Sequence, residues 1–211
     1  METPFELLLS GLVMGLAAGV SPGPLLALVI GETIRHDRRM GIRVALAPLI
    51  TDVPIVLLSL LLLSRLSGYR TVLGVISLAG ALFIGYLAYE SLRSRGLEAE
   101  GIPPRPRSFR KGLITNLLSP HPYLFWITVG APVVIRVGQS SLSAAVLYIL
   151  GFYALLVGSK VAVAVIVDRS KAWIHGRIYV CLIRALGVVL VVFALLFLRD
   201  GLRLLGVLPG G

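Results

Sequence analysis

Six apolar runs, separated by short polar connections, dominate the pattern of hydrophobic and polar positions along the chain. The runs cover residues 5–31, 42–64, 71–92, 111–136, 142–167 and 178–199. A membrane-spanning helix needs about 20 mostly apolar residues, and each run is of about that length. The pattern therefore predicts an all-α integral membrane protein with six transmembrane helices.

The first and fourth runs each contain a closely spaced pair of prolines that a regular helix cannot accommodate, because proline lacks an N–H group and clashes with an earlier carbonyl. The motif Ser21-Pro22-Gly23-Pro24 recurs 98 residues later as Ser119-Pro120-His121-Pro122. Broken helices in corresponding halves of a transporter mark its substrate site. The recurrence predicts Pro-broken helices 1 and 4; a chance repeat in a chain with 12 prolines is the alternative.

The two proline motifs belong to two halves of the chain with three apolar runs each. Residues 1–92 are predicted to form a first three-helix repeat, 93–110 a basic cytoplasmic linker, and 111–211 a second three-helix repeat. An odd number of spans per half places the second half upside down relative to the first. This arrangement is typical of transporters built from two inverted repeats.

Composition and charge agree with a membrane protein. Only 14% of the residues are charged, against roughly 25% in soluble domains. Thirteen Lys and Arg residues lie in or beside the connections after runs one, three and five, and five lie on the opposite side. Cytoplasmic loops carry such an excess. The net charge of +10 therefore reflects topology rather than nucleic-acid binding, and both termini are predicted to lie outside the cell membrane.

Two further sequence features argue against a cleavable signal peptide and against a disulfide-bonded fold. No basic segment precedes the first apolar run, so we expect a retained span rather than a cleavable signal peptide. Cys181 is the single cysteine, which excludes a disulfide within one chain.

Ionisable residues inside the apolar runs are candidates for function, because a charge in the membrane is costly. Asp52 lies near the middle of the second run and Lys160 lies in the fifth. The two residues either form a buried pair that only fixes the bundle, or take part in substrate binding and proton coupling. Lys160 alternatively extends towards the cytoplasmic surface. His121 is either a polar residue at a wet helix break or a contact for a proton or ligand.

Taken together, these features resemble the LysE family of amino-acid exporters. The residues that carry the resemblance are Gly15, Gly19, Pro22, Gly23, Pro24, Asp52, Asn116, Leu117, Leu118 and Pro120. The resemblance spans nearly the whole chain. It implies a secondary-active exporter that moves small amino acids or related zwitterionic metabolites across the cytoplasmic membrane, driven by an ion gradient. Ser119 and His121 depart from the family pattern, which bears on the identity of the substrate.

The expected substrate site joins the two proline motifs to a few polar side chains. The predicted substrate-binding residues are Ser21, Pro22, Gly23, Pro24, Asp52, Asn116, Ser119, Pro120, His121 and Lys160. Free N–H groups where a helix restarts after each motif suit a carboxylate, and Asp52 suits an ammonium. Asp52 and Lys160 are the candidates for proton coupling. Alternating access is expected to rock one half of the chain against the other.

Three alternatives remain beside the exporter. A divalent-metal exporter of related architecture needs several oxygen ligands, and Asp52 is the single carboxylate at mid-depth. A thiol carrier needs two intramembrane cysteines, and the chain has only Cys181. A non-transport structural partner in the membrane has no feature against it. No enzyme motif, metal site or cofactor site is evident. The predicted partners are an amino-acid substrate and the lipid bilayer, homo-oligomerisation stays open, and nucleic acid is not expected.

Overall fold

The computed structural model describes residues 4–64, 69–93, 107–171 and 176–208, and these ranges are helical apart from short connections. In chain order the helices are α1 (Pro4–Val20), α2 (Pro24–Arg35), α3 (Arg38–Ala45), α4 (Ala47–Ser64), α5 (Tyr69–Leu92), α6 (Ser108–Leu117), α7 (Pro120–Phe125), α8 (Ala131–Ser140), α9 (Leu142–Ser170) and α10 (Gly176–Leu204). A π-helical segment, Trp126–Gly130, joins α7 to α8. The predicted all-α class is confirmed for the described ranges. Most of the predicted linker 93–110 lies outside them.

Four stretches of the described chain are long and apolar enough to cross a bilayer by themselves. They are Arg38–Ser59, Arg70–Leu92, Leu142–Ser170 and Ile178–Leu204. Two further stretches are pairs of helices, Phe5–Val20 with Pro24–Arg35 and Ser108–Leu117 with Pro120–Ile135, bent by 64° and 49°. The described ranges thus contain four candidate spans, or six if each bent pair is one span. Either number makes a multi-pass membrane protein.

Both bends lie at the proline motifs, where the backbone leaves the helical conformation. Gly23 is extended, with φ −165° and ψ 171°, and α2 restarts at Pro24. Ser119 is also extended, and α7 restarts at Pro120. A proline at the first helical position costs little, because its missing N–H has no partner within the helix in any case. Each motif therefore ends one helix and begins the next.

A stripe of glycines brings α1 against α9. A Cβ atom added to Gly11 or Gly15 would overlap the backbone of Tyr148 or Phe152, and Gly19 meets the same helix further along. Small residues at this spacing allow the backbones of two membrane helices to approach closely. The first helix of the chain is consequently fixed to a helix from its second half.

Other helices also pack against helices from the opposite half of the chain. α5 packs along α10, where Gly74 and Gly201 face each other, and α4 packs against α6 and α7. The helices of the two predicted repeats are therefore interleaved rather than arranged as two separate bundles. On the outer surface, α10 exposes apolar side chains such as Val192 and Leu195, as expected for a surface that contacts lipid.

Candidate functional site

A cavity of about 430 Å³ lies where the two bent pairs meet α4 and α9, a volume within the range of about 300–1,000 Å³ that is common for small-molecule sites. Nine of the ten predicted site residues line it: Ser21, Pro22, Gly23, Pro24, Asp52, Asn116, Ser119, His121 and Lys160. Pro120 is buried at the start of α7 and does not line the cavity. The structure therefore brings most of the predicted set together around one space.

Asp52 is the carboxylate of the cavity, and it is only 4% exposed. Its Oδ1 accepts a hydrogen bond from Asn116 Nδ2 at 2.9 Å, and its Oδ2 accepts one from the Tyr153 hydroxyl at 3.0 Å. The Asn116 amide also donates to Thr51 Oγ1 at 2.7 Å. Both oxygens of Asp52 are thus held by neutral donors from α6 and α9.

Lys160 is the cation of the cavity, and it too is 4% exposed. Its Nζ donates to the carbonyl oxygens of Gly19 at 2.9 Å and Ala18 at 3.3 Å. These carbonyls belong to the last turn of α1, which has no helical partners for them and carries partial negative charge. Lys160 and Asp52 form no ion pair within 4 Å in the described ranges. The buried-pair interpretation is wrong for this conformation, and Lys160 does not extend to the surface.

The start of α2 also borders the cavity, through Pro24, Leu25 and Leu26. Ala27 N donates to Gly23 O at 3.0 Å, so the backbone N–H groups of Leu25 and Leu26 are the ones that this helix leaves without an internal partner. The second motif offers fewer of the free N–H groups that were expected after each motif. α7 has six residues and prolines at its first and third positions, so His121 has the one N–H group among those three.

Aromatic side chains form one wall of the cavity. Phe125 and Phe152 stack with their ring centres 5.1 Å apart, and Trp126 meets Phe152 edge to face at 5.8 Å. The ring of Tyr153, whose hydroxyl donates to Asp52, packs against both Phe152 and Trp126, with ring centres 5.2 and 6.5 Å apart. Trp126 is 4% exposed and lines the cavity.

Comparison with known proteins places the chain in a family. The family model described as LysE type translocator matches residues 16–201. The chain belongs to the LysE type translocator family. It is also 34% identical, over 131 residues, to the chemotactic transduction protein ChpE of Pseudomonas aeruginosa. That match covers 58% of this chain and 63% of the relative, just under two thirds of the relative's length. No solved structure matches the chain at a comparable level.

The described residues include a second group of charges that the sequence did not predict. Glu32, only 1% exposed, lies 3.2 Å from Lys111 Nζ and accepts a hydrogen bond from Ser108. Lys111 also contacts Glu90 at 2.9 Å, and Glu90 contacts Arg35 at 2.8 Å. We call Glu32, Arg35, Glu90 and Lys111 the charge network. It joins α2, α5 and α6 at the end of α2 that is remote from the cavity.

A smaller apolar pocket of about 280 Å³ adjoins the main cavity. The two spaces share Asp52 and Trp126, and the smaller one is otherwise lined by Val53, Val56, Leu57, Ala131, Val134, Ile135, Ile149 and Tyr153. Several of these side chains are about half exposed on the outer surface. Among the described residues, no three His, Cys, Asp or Glu side chains lie close enough to hold a metal ion.

Proposed function

We propose that this translocator exports amino acids or related small zwitterionic metabolites across the cytoplasmic membrane in exchange for protons. The observation that carries the proposal is that one buried carboxylate and one buried ammonium line the same cavity without pairing with each other. A zwitterion has the complementary pair of charges. Its ammonium would bind Asp52, and its carboxylate would bind Lys160 and the free N–H groups at the start of α2.

The hydrogen-bonding capacity of both groups supports this assignment. A carboxylate has about four acceptor positions. Asn116 and Tyr153 donate to Asp52, and the Trp126 side chain is a third donor to it. An ammonium has three donors, and Lys160 uses two for the carbonyls of α1. Each group therefore keeps capacity for a ligand. Since a buried charge is costly unless it is paired and hydrogen-bonded, a zwitterion would stabilise both.

Proton coupling follows from the same cost. Asp52 is ionised while it holds the substrate ammonium, and we propose that it takes up a proton when the substrate has left. A proton would then enter for each substrate that is exported. Lys160 remains fixed to the end of α1 and contributes the positive charge for the substrate carboxylate.

We also propose that each bent pair is one broken span, giving six spans in two inverted repeats with both termini outside. The packing supports this arrangement. α1 of the first half packs on α9 of the second, and α6 and α7 of the second half pack on α4 of the first. With three spans in each half, span one corresponds to span four and span two to span five. The contact of span one with span five therefore has its counterpart in the contact of span four with span two, as a two-fold axis in the membrane plane requires.

The test replaces Asp52 and follows protons with substrate in liposomes. We expect a panel of amino acids to drive a pH change with the wild-type protein and not with Asp52→Asn, which keeps the shape and removes the charge. Asp168→Asn, near the end of α9 and outside the cavity, is the matched control and should behave as wild type. If Asp52→Asn exchanges protons for substrate at the wild-type ratio, the proposed role of Asp52 fails.

A non-transport role is the second candidate, and the similarity to a protein named for chemotactic transduction favours it. In that case no member of an amino-acid panel would cross the liposome membrane faster than in empty vesicles. The metal exporter would instead show cation efflux that survives Asp52→Asn and is lost with His121→Ala. Both outcomes are distinct from the one that we expect.

A further inference from the structure

The walls around the two charges of the cavity are almost entirely apolar. Of the described side chains that line it, Asp52 and Lys160 carry fixed charges, and Ser21, Asn116 and Ser119 add neutral polar groups. The remaining side chains on the walls are chiefly Met14, Leu25, Leu26, Phe125, Trp126, Val129, Phe152 and Leu156. From this we infer that the site selects neutral amino acids with an apolar or aromatic side chain and rejects amino acids with a charged side chain. The inference rests on the proposed exporter function.

The first step of the argument counts charges. The ammonium and carboxylate that every amino acid carries would use Asp52 and Lys160. A third charge, from a lysine or glutamate side chain, would then meet no opposite charge on the walls. His121 is the other titratable residue there, and its ring stacks on Phe197 at 5.6 Å. The carboxylate near it, Asp200, does not line the cavity.

The second step concerns the direction of the substrate side chain. A substrate whose ammonium lies at Asp52 can extend its side chain along the main cavity or towards the smaller pocket, since Asp52 borders both. In the main cavity it meets the stacked rings of Phe125 and Phe152. In the smaller pocket it meets aliphatic side chains and Trp126. Both directions favour an apolar group and disfavour a charged one.

The size of the discrimination follows from the cost of an unpaired charge at membrane depth. On insertion scales that cost corresponds to a factor of about 100 in an equilibrium constant. We therefore expect the transport efficiency, kcat/KM, for leucine, methionine or phenylalanine to exceed that for lysine or glutamate by about 100-fold. Glycine, with no side chain to fill the apolar space, should fall between the two groups.

The closing experiment measures uptake of radiolabelled leucine, phenylalanine, glycine, lysine and glutamate into liposomes that hold the full-length protein. Leucine and phenylalanine should be preferred by about 100-fold over the two charged amino acids. If lysine or glutamate is transported within tenfold of leucine, this inference is wrong and the exporter function stands. If none of a full amino-acid panel moves faster than in empty liposomes, the exporter function itself fails.

A variant pair tests whether the wall sets the preference. Met14 lines the cavity from α1 and is 39% exposed, so the fold should tolerate a polar replacement. Met14→Glu adds the missing negative charge and should raise lysine uptake relative to leucine at least tenfold, while the matched Met14→Gln should not. Val129→Glu, from another wall of the cavity, is the second variant with the same expectation. Continued exclusion of lysine by both Glu variants, with leucine uptake retained, would overturn the inference.

Discussion

Lys160 donates to carbonyl groups at the end of α1 and does not pair with Asp52. Replacing it should therefore affect the end of α1 rather than leave an unpaired carboxylate. Lys160→Met leaves the carbonyls of Ala18 and Gly19 without their donor and removes the cation of the cavity. We expect a loss of stability of about 1.5–3 kcal/mol, the range for hydrogen bonds to charged groups, together with loss of substrate binding. Thermal unfolding in detergent and binding of the transported amino acid measure the two effects.

Lys171 offers the matched control at the residue scale. It also donates to a backbone carbonyl, that of His36, at 2.8 Å, but it lies outside the cavity. Lys171→Met should lower stability without affecting substrate binding. Equal loss of binding in both variants would mean that Lys160 acts only through the fold.

At the scale of elements, the close contact of α1 with α9 depends on the absence of side chains. Gly15→Ala would place a Cβ atom into the backbone of Phe152, whereas a Cβ atom at Gly158, on α9 itself, meets no atom within 4 Å. We expect Gly15→Ala to reduce the yield of folded protein and lower its unfolding temperature. Gly158→Ala should be neutral or stabilising by up to about 1 kcal/mol, since alanine favours helix. Equal melting temperatures for the two variants would contradict this packing.

The charge network makes a second prediction for elements. Lys111→Met removes the ion-pair partner of the buried Glu32, while Glu90 loses Lys111 but keeps Arg35. We expect a loss of about 3 kcal/mol, the lower figure for breaking a buried ion pair, because Lys111 is partly exposed. Arg110→Met removes the neighbouring, exposed cation and should change stability little. Thermal unfolding compares them, and an equal, small effect would show that the network contributes no stability.

For the whole molecule, the distribution of basic residues predicts orientation in the membrane. In a Cys181→Ser background, a membrane-impermeant thiol reagent should label Gly68→Cys in intact cells and should not label Glu100→Cys until the cells are opened. The physical reason is the excess of Lys and Arg in cytoplasmic loops. Labelling of Glu100→Cys alone in intact cells would reverse the predicted topology.

The sequence predicts those features of the molecule that depend on residues close together in the chain. The apolar runs predict the helices, and the prolines of each motif predict where a helix ends, because both effects act within a few residues. Asn116, which donates to Asp52, was predicted as a site residue because it lies just before the second motif and belongs to the residues that carry the family resemblance. The partner Tyr153, 101 positions from Asp52, and the contact of Glu32 with Lys111 were not predicted. Such pairs depend on which helix faces meet, and hydropathy does not specify these faces.

The attachment of α1 to α9 also has a consequence for synthesis. The hydrogen bond from Lys160 to Gly19 joins residues 141 positions apart, and the glycine stripe meets partners at a similar separation. During translation, the first helix enters the membrane long before α9 has been made. Its glycines and last carbonyls must therefore contact lipid, or another protein, until most of the chain has been synthesised. α1 is therefore made long before the helix against which it finally packs.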